Sequence, residues 1–145
     1  MLYINPVPGN IVTGATQQAL AANGKTVLLV SRAGHMCEAL LGLLNTLSEL
    51  SGIQMAESGL LALSMADELN PHLVLVAGGL PEAEGPELVR QFKQRWPDTP
   101  CLVLAENARQ LALAFQAGAN CALPARTPSG QLLNEIVALI ATKSL

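Results

Sequence analysis

The chain has 145 residues, enough for one domain with a real core but not for two. Half of the residues are apolar and only 3% are aromatic, so the interior must be built from Leu, Val, Ala and Met rather than from rings. Net charge is −3, and the eight basic residues are spread too thinly to form a phosphate-binding stripe, which argues against direct nucleic-acid binding by this chain.

Residues 1–24 carry no charged side chain. Pro6, Pro8, Asn10, Thr13, Gln17 and Gln18 interrupt the segment, and no basic stretch precedes an apolar run, so it reads as neither a signal peptide nor a membrane span. It stands as an extension, irregular at first and then a short helix over 15–22, ahead of a domain over 25–145. Within it GNIVTGAT (9–16) approaches the phosphate-binding pattern GxxxxGK[ST]. Ala15 replaces the lysine and no buried strand comes before, so the match reads as chance.

From Lys25 onward short apolar runs alternate with helical periods. KTVLLV (25–30) has no polar alternation, as expected of a strand buried on both faces. HMCEALLGLLNTLSEL (35–50) repeats Met36, Leu40, Leu43, Leu44 and Leu47 at helical spacing, with Ser51-Gly52 as its stop. A weaker strand over 53–57 leads to a helix over 59–70, closed by Asn70-Pro71. LVLVA (73–77) is the clearest strand. A loop over 78–85 precedes a helix over 86–96, where Leu88, Phe92 and Trp96 recur at i, i+4 and i+8 and Pro86 suits a first turn. After a turn at Pro97-Asp98-Thr99-Pro100 come a strand over 101–105, a helix over 108–119 closed by Gly118, and a short strand over 121–125. Ser129 is expected to cap a last helix over 130–142, with Leu132, Leu133, Ile136, Val137 and Ile140 on one broad face.

Five strand–helix units with continuously apolar strands predict an α/β domain: a doubly wound five-stranded parallel sheet with helices on both faces. In such sheets ligands gather at the carboxyl ends of the strands. Three cysteines, Cys37, Cys101 and Cys121, show no CxxC spacing, and His35 and His72 lie far apart, so no zinc pattern is present. Free thiols in a reducing cytoplasm are the simplest account, with Cys37 and Cys121 as small core residues. No nucleophile, base and orienting group converge, which argues against an enzyme; no cofactor or metal is expected.

The run LVLVAGGLPEAEGPELVRQFKQRWPDTPCLVLA, followed by AFQAGANCALPA, resembles a response-regulator receiver domain of the CheY-like, flavodoxin-like type. The marks are the spacing of Leu80-Pro81 and Gly85 after the third strand, the Pro-Asp-Thr-Pro turn before the fourth, and Ala117-Gly118-Ala119 before the fifth. The likeness spans about residues 25–142. It implies a magnesium-binding acidic pair where this chain has Ser31 and Arg32. It puts the phospho-accepting aspartate at Ala77, the hydroxyl residue at Ala105, the lysine at Ala125 and the switch aromatic at Ala122. The proline after that lysine is replaced by Arg126. A methyl group cannot attack a phosphorus centre, magnesium wants hard oxygen ligands, and alanines cannot hold phosphoryl oxygens. The resemblance therefore implies the scaffold without the phosphotransfer: a pseudo-receiver working through protein contact in signal transduction or transcriptional regulation.

Two readings of Arg32 stay open. It pairs with Glu82, Glu84 or Glu106 and holds one conformation, or it is a solvated arginine at a strand end. In the helix over 108–117 the inner positions are expected at Leu111, Ala114 and Phe115. Arg109, Ala112, Leu113 and Gln116 are then left outside as an interface. Receivers commonly associate through the face of the fourth helix, fifth strand and fifth helix, so the expected partner is a second copy or another protein. A DNA-binding output domain would lie outside this chain, and no membrane contact is expected. The alternative function is a small-ligand sensor, since Gly78, Gly79 and the alanines leave room for a metabolite at the carboxyl edge of the sheet.

Overall fold

In the computed structural model the described residues are 25–77, 80 and 84–144. The expected extension, with its helix over 15–22 and the stretch 9–16, lies outside them, as do Gly78, Gly79, Pro81, Glu82 and Leu145. The elements run β1 (Lys25–Val30), α1 (His35–Leu44), β2 (Leu50–Ala56), α2 (Gly59–Leu69), β3 (Leu73–Val76), α3 (Glu84–Arg95), β4 (Cys101–Ala105), α4 (Ala108–Ala117), β5 (Cys121–Pro124) and α5 (Ser129–Ser144). All four strand pairings are parallel, in the order β2-β1-β3-β4-β5. This is the doubly wound sheet expected from the alternating pattern.

The inner strands β3 and β4 read as unbroken apolar runs because the two faces of the sheet bury alternate side chains. Val27, Leu29, Leu75 and Leu104 pack on one side against Leu40 and Leu44 of α1 and Leu132, Ile136 and Ile140 of α5. Leu28, Val30, Val74 and Val76 pack on the other side against Ala62, Leu88, Phe92 and Ala114 of α2, α3 and α4. Phe92 is the largest fully buried side chain among the described residues. Its truncation to alanine would cost about 3–5 kcal/mol, transfer and cavity together.

Helix ends follow local chemistry. Ser58 caps α2 by accepting from the Leu61 N–H, and Asn70 ends that helix in the left-handed region at φ 48°. Asn107 caps α4 by accepting from the Gln110 N–H, and Gly118 closes it at φ 109°. A side chain at Gly118 would be strained by that φ and would meet Lys93 Cγ at 3.3 Å. Lys93 Nζ donates to the carbonyls of Pro97 and Thr99 and to Asn120 Oδ1, and that amide oxygen also accepts from the Cys101 N–H. One cation thus ties the end of α3 to the turns flanking β4, each bond contributing about 1 kcal/mol.

Three expected boundaries are corrected. The helix expected over 35–50 ends at Leu44. The Thr46 hydroxyl donates to the Leu43 carbonyl at 2.7 Å, a partner that a continuing helix would have supplied from its backbone. The chain then turns, and Leu50, Ser51 and Gly52 join β2 instead of stopping a helix. Ser129 lies inside α5 and not at its cap, since the Leu132 N–H bonds the Pro128 carbonyl. Glu84 and Gly85, expected in a loop, form the first turn of α3 ahead of Pro86.

Candidate functional site at the carboxyl ends of the strands

The winding changes face between β1 and β3: α1 lies on one side of the sheet with α5, while α2, α3 and α4 lie on the other. In open α/β sheets such a change of winding is where ligands bind, outside the carboxyl ends of the strands. Backbone bonds prolong the sheet beyond its formal ends. The Ser31 N–H donates to the Ala56 carbonyl at 2.9 Å, Ala77 to Val30 at 2.8 Å, and Ala125 to Ala105 at 2.8 Å. Ser31 and Ala77 therefore stand level at the carboxyl edge of the sheet, and Ala105 and Ala125 lie just beyond that level at the ends of β4 and β5.

Their side chains are small and turned into the protein. Ser31 is fully buried and its Oγ donates to the Arg32 carbonyl at 3.0 Å. Ala77 and Ala105 are 5% and 3% exposed, and Ala125 is half-buried. Ala122 is buried in the layer beneath α4. Among the described residues, no group of three or more His, Cys, Asp or Glu is placed to hold a metal ion.

Arg32 is exposed and forms no ion pair with Glu84 or Glu106, which corrects those two candidate pairings; Glu82 lies outside the described residues. Glu84 is engaged elsewhere. Its Oε2 accepts from the Gly59 N–H at 2.6 Å, so a carboxylate from the first turn of α3 sits on the positive end of α2. Glu106 is held through its backbone N–H, which donates to Gln110 Oε1. Sequence spacing could not show the Glu84 contact, because it joins residues 25 apart through the packing of two helices.

The thiols are poor nucleophiles. Burial pushes the Cys101 thiol up to about 12, only partly opposed by the Lys93 ammonium. Burial also raises Cys37, and it raises Cys121 together with the nearby Glu135 carboxylate. Cys121 is half-buried on an edge strand, less enclosed than expected of a core residue. His35 opens α1 as an exposed residue, whereas His72 accepts through Nδ1 from the Thr26 N–H at 3.2 Å, far from the strand ends just described.

On α4, Arg109, Ala112 and Gln116 are exposed and Leu113 is half-buried, while Leu111 and Ala114 face the core as expected. Phe115, expected inside, is 51% exposed. The buried line is Ala114 and Ala117. Phe115 is about 100° round the helix from Ala114 and is carried outward. Leu133 and Val137 of α5 are also half-buried, and α4 and α5 follow one another across the edge strand β5.

Residues 27–137 match the response regulator receiver domain family. The chain belongs to that family. It is 36% identical over 78 residues to the transcriptional regulatory protein YdfI of Bacillus subtilis (strain 168), a match covering 54% of this chain and about a third (36%) of that relative. Among solved structures, the signal receiver domain of an HD domain-containing protein from Pseudomonas fluorescens Pf-5 superposes with a TM-score of 0.75 at 22% identity, covering 93% of this chain and 95% of that one. A CheY-like response regulator receiver domain protein from Methanospirillum hungatei JF-1 superposes at 0.72 with 17% identity, covering 83% and 97%. The described helices include none long and apolar enough to cross a membrane.

The Cys101 thiol gives a prediction with a definite sign. The unfolded chain loses this proton near the ordinary 9.0 and the folded chain retains it to about 12. Folding stability is therefore unaffected by this group below about pH 9 and declines as pH rises through that window. Chemical denaturation across this pH range should show a shallower decline for Cys101→Val than for the parent; parallel curves would contradict the assignment.

Proposed function

We propose that this receiver domain acts without phosphoryl transfer, as a docking module for another protein or a second copy of itself. The observation that carries the reading is Ala77: a buried methyl group at the carboxyl end of β3, where the receiver pattern puts the accepting carboxylate. A single loss there could be bypassed by a neighbour. Ala105 and Ala125 also remove the hydroxyl and the ammonium that would bind phosphoryl oxygens. Ser31 and Arg32 occupy the places of the metal-binding acids, and an exposed guanidinium repels a divalent cation.

What is left to communicate is surface. Phe115 is a large, half-exposed ring on a helix, and Leu113, Leu133 and Val137 add partly exposed apolar groups on α4 and α5. Such groups on helices bordering an edge strand suit a protein interface when they form one patch. Arg109, Ala112 and Gln116 would then form its outer positions. The likeness to a transcriptional regulatory protein, of which this chain matches about a third, supports a place in transcriptional regulation. DNA contact would fall to a region or partner outside these residues, in keeping with the sparse basic charge.

Incubation with acetyl phosphate and magnesium, read by intact mass, is expected to leave the protein unmodified. A gain of one phosphoryl group would refute phosphorylation independence. Sedimentation tests the docking surface. If two copies meet there, Leu113→Glu and Phe115→Glu should each weaken self-association by at least tenfold while the circular dichroism spectrum is retained. A parent protein that stays monomeric at high concentration would rule out the second copy and leave a different protein as the partner.

A further inference from the structure

We propose that the groove between α2 and α3 is a docking site for a cationic amphipathic helix of another protein, separate from the surface of α4 and α5. The groove has a volume of about 180 Å³, and Leu60 and Leu63 of α2 and Glu84, Glu87, Leu88 and Gln91 of α3 line it. Clefts that take up small molecules run to about 300–1,000 Å³, so this one suits an aliphatic side chain rather than a metabolite. The buried line of α2 is Gly59, Ala62, Leu63 and Ala66, at helical spacing, and Leu60 falls outside it. Leu60 is accordingly 81% exposed, and Leu61 beside it in the chain is 37% exposed. A lone exposed leucine needs no explanation, but one that lines a groove next to a second offers a patch of the kind partners cover.

Charge selects the occupant. Glu57 ahead of α2, Asp67 and Glu68 on it, and Glu84 and Glu87 on α3 make this side acidic. Arg90 pairs with Glu87, Arg95 pairs with Asp67, and Lys93 is engaged by Pro97, Thr99 and Asn120. Glu57, Glu68 and Glu84 are thus left without a cationic partner among the described residues. Surplus negative charge beside exposed leucines favours a partner that sets lysine or arginine next to an apolar anchor. Nucleic acid and anionic lipid would be repelled. A second copy meeting the same face would bring like charges together, and the eight basic residues of the chain are too scattered to supply a cationic face.

The groove is preformed. Glu84 Oε2 on the Gly59 N–H joins α3 to α2 at one end, and the Arg95–Asp67 pair, at 3.2 Å, joins them at the other. Two helices cross-linked in this way hold the space between them open without a partner, which lowers the ordering cost of binding. An amphipathic helix laid along such a groove sets apolar anchors into it at i and i+4 and turns its basic residues to the acidic rim.

The test uses the full chain, labelled with nitrogen-15, and a synthetic helical peptide with leucine on one face and lysine on the other. The expected result is a saturable shift of the amide resonances of Gly59, Leu60, Leu63 and Gln91, at an affinity that falls as salt is raised. Leu60→Ser should weaken binding at least tenfold while leaving Tm within about two degrees, because that side chain lies outside the core. The peptide with glutamate in place of lysine should not bind, and Leu113→Glu on α4 should bind the original peptide as the parent does. Shifts spread over the whole acidic surface, or an undiminished affinity for Leu60→Ser, would overturn the proposal. Shifts at the groove that grow with protein concentration before any peptide is added would also overturn it and assign the groove to a second copy.

Discussion

A parallel sheet sandwiched between two helical layers is the constraint from which the other features follow. Parallel strands must be joined by crossovers, so both faces of β1, β3 and β4 are covered and their side chains are apolar apart from Lys25 and Thr26 at the start of β1. Polar groups have more room where those strands end. Backbone bonds from Ala77 to Val30 and from Ala125 to Ala105 hold the ends in one row, whatever side chains occupy them. A scaffold of this kind keeps its shape when the chemistry at its edge is altered. The alanines at three of those ends carry no reactive group, and the backbone bonds of Ala77, Ala105 and Ala125 are kept.

Much of this was readable from residue order. Continuous apolar runs at 25–30, 73–77 and 101–105 separated by helical periods gave the sheet, its parallel sense and the row of strand ends. The misjudged parts have physical causes. Leu47 continues a helical period, but Thr46 satisfies a carbonyl locally and releases the chain into β2, so periodicity outran the real end of α1. Phe115 falls at an inner position of the helix in the receiver pattern, yet the structure carries it outward. Ala114 and Ala117 form the buried line of α4, and Phe115, about 100° round the helix from Ala114, lies off it. The spacing of those two alanines was the available signal, and it favoured small residues over hydrophobic ones.

Contacts between distant residues were not legible. The carboxylate of Glu84 on the Gly59 N–H and the ammonium of Lys93 among Pro97, Thr99 and Asn120 depend on how helices pack. Both tie α3 to its surroundings, one at each end. A helix fixed at both ends suits a domain recognised by its shape, whereas a switch needs an element with two states of similar free energy.

The central claim, a receiver framework without phosphoryl chemistry, is tested most directly by watching the strand ends themselves. Amide resonances of Ser31, Ala77, Ala105 and Ala125 can be followed by NMR during titration with magnesium and then with beryllofluoride, a mimic of a bound phosphoryl group. The account predicts resonances that do not move beyond the uniform effect of ionic strength. Saturable shifts at Ala77 and its neighbours, requiring both magnesium and the mimic, would contradict it.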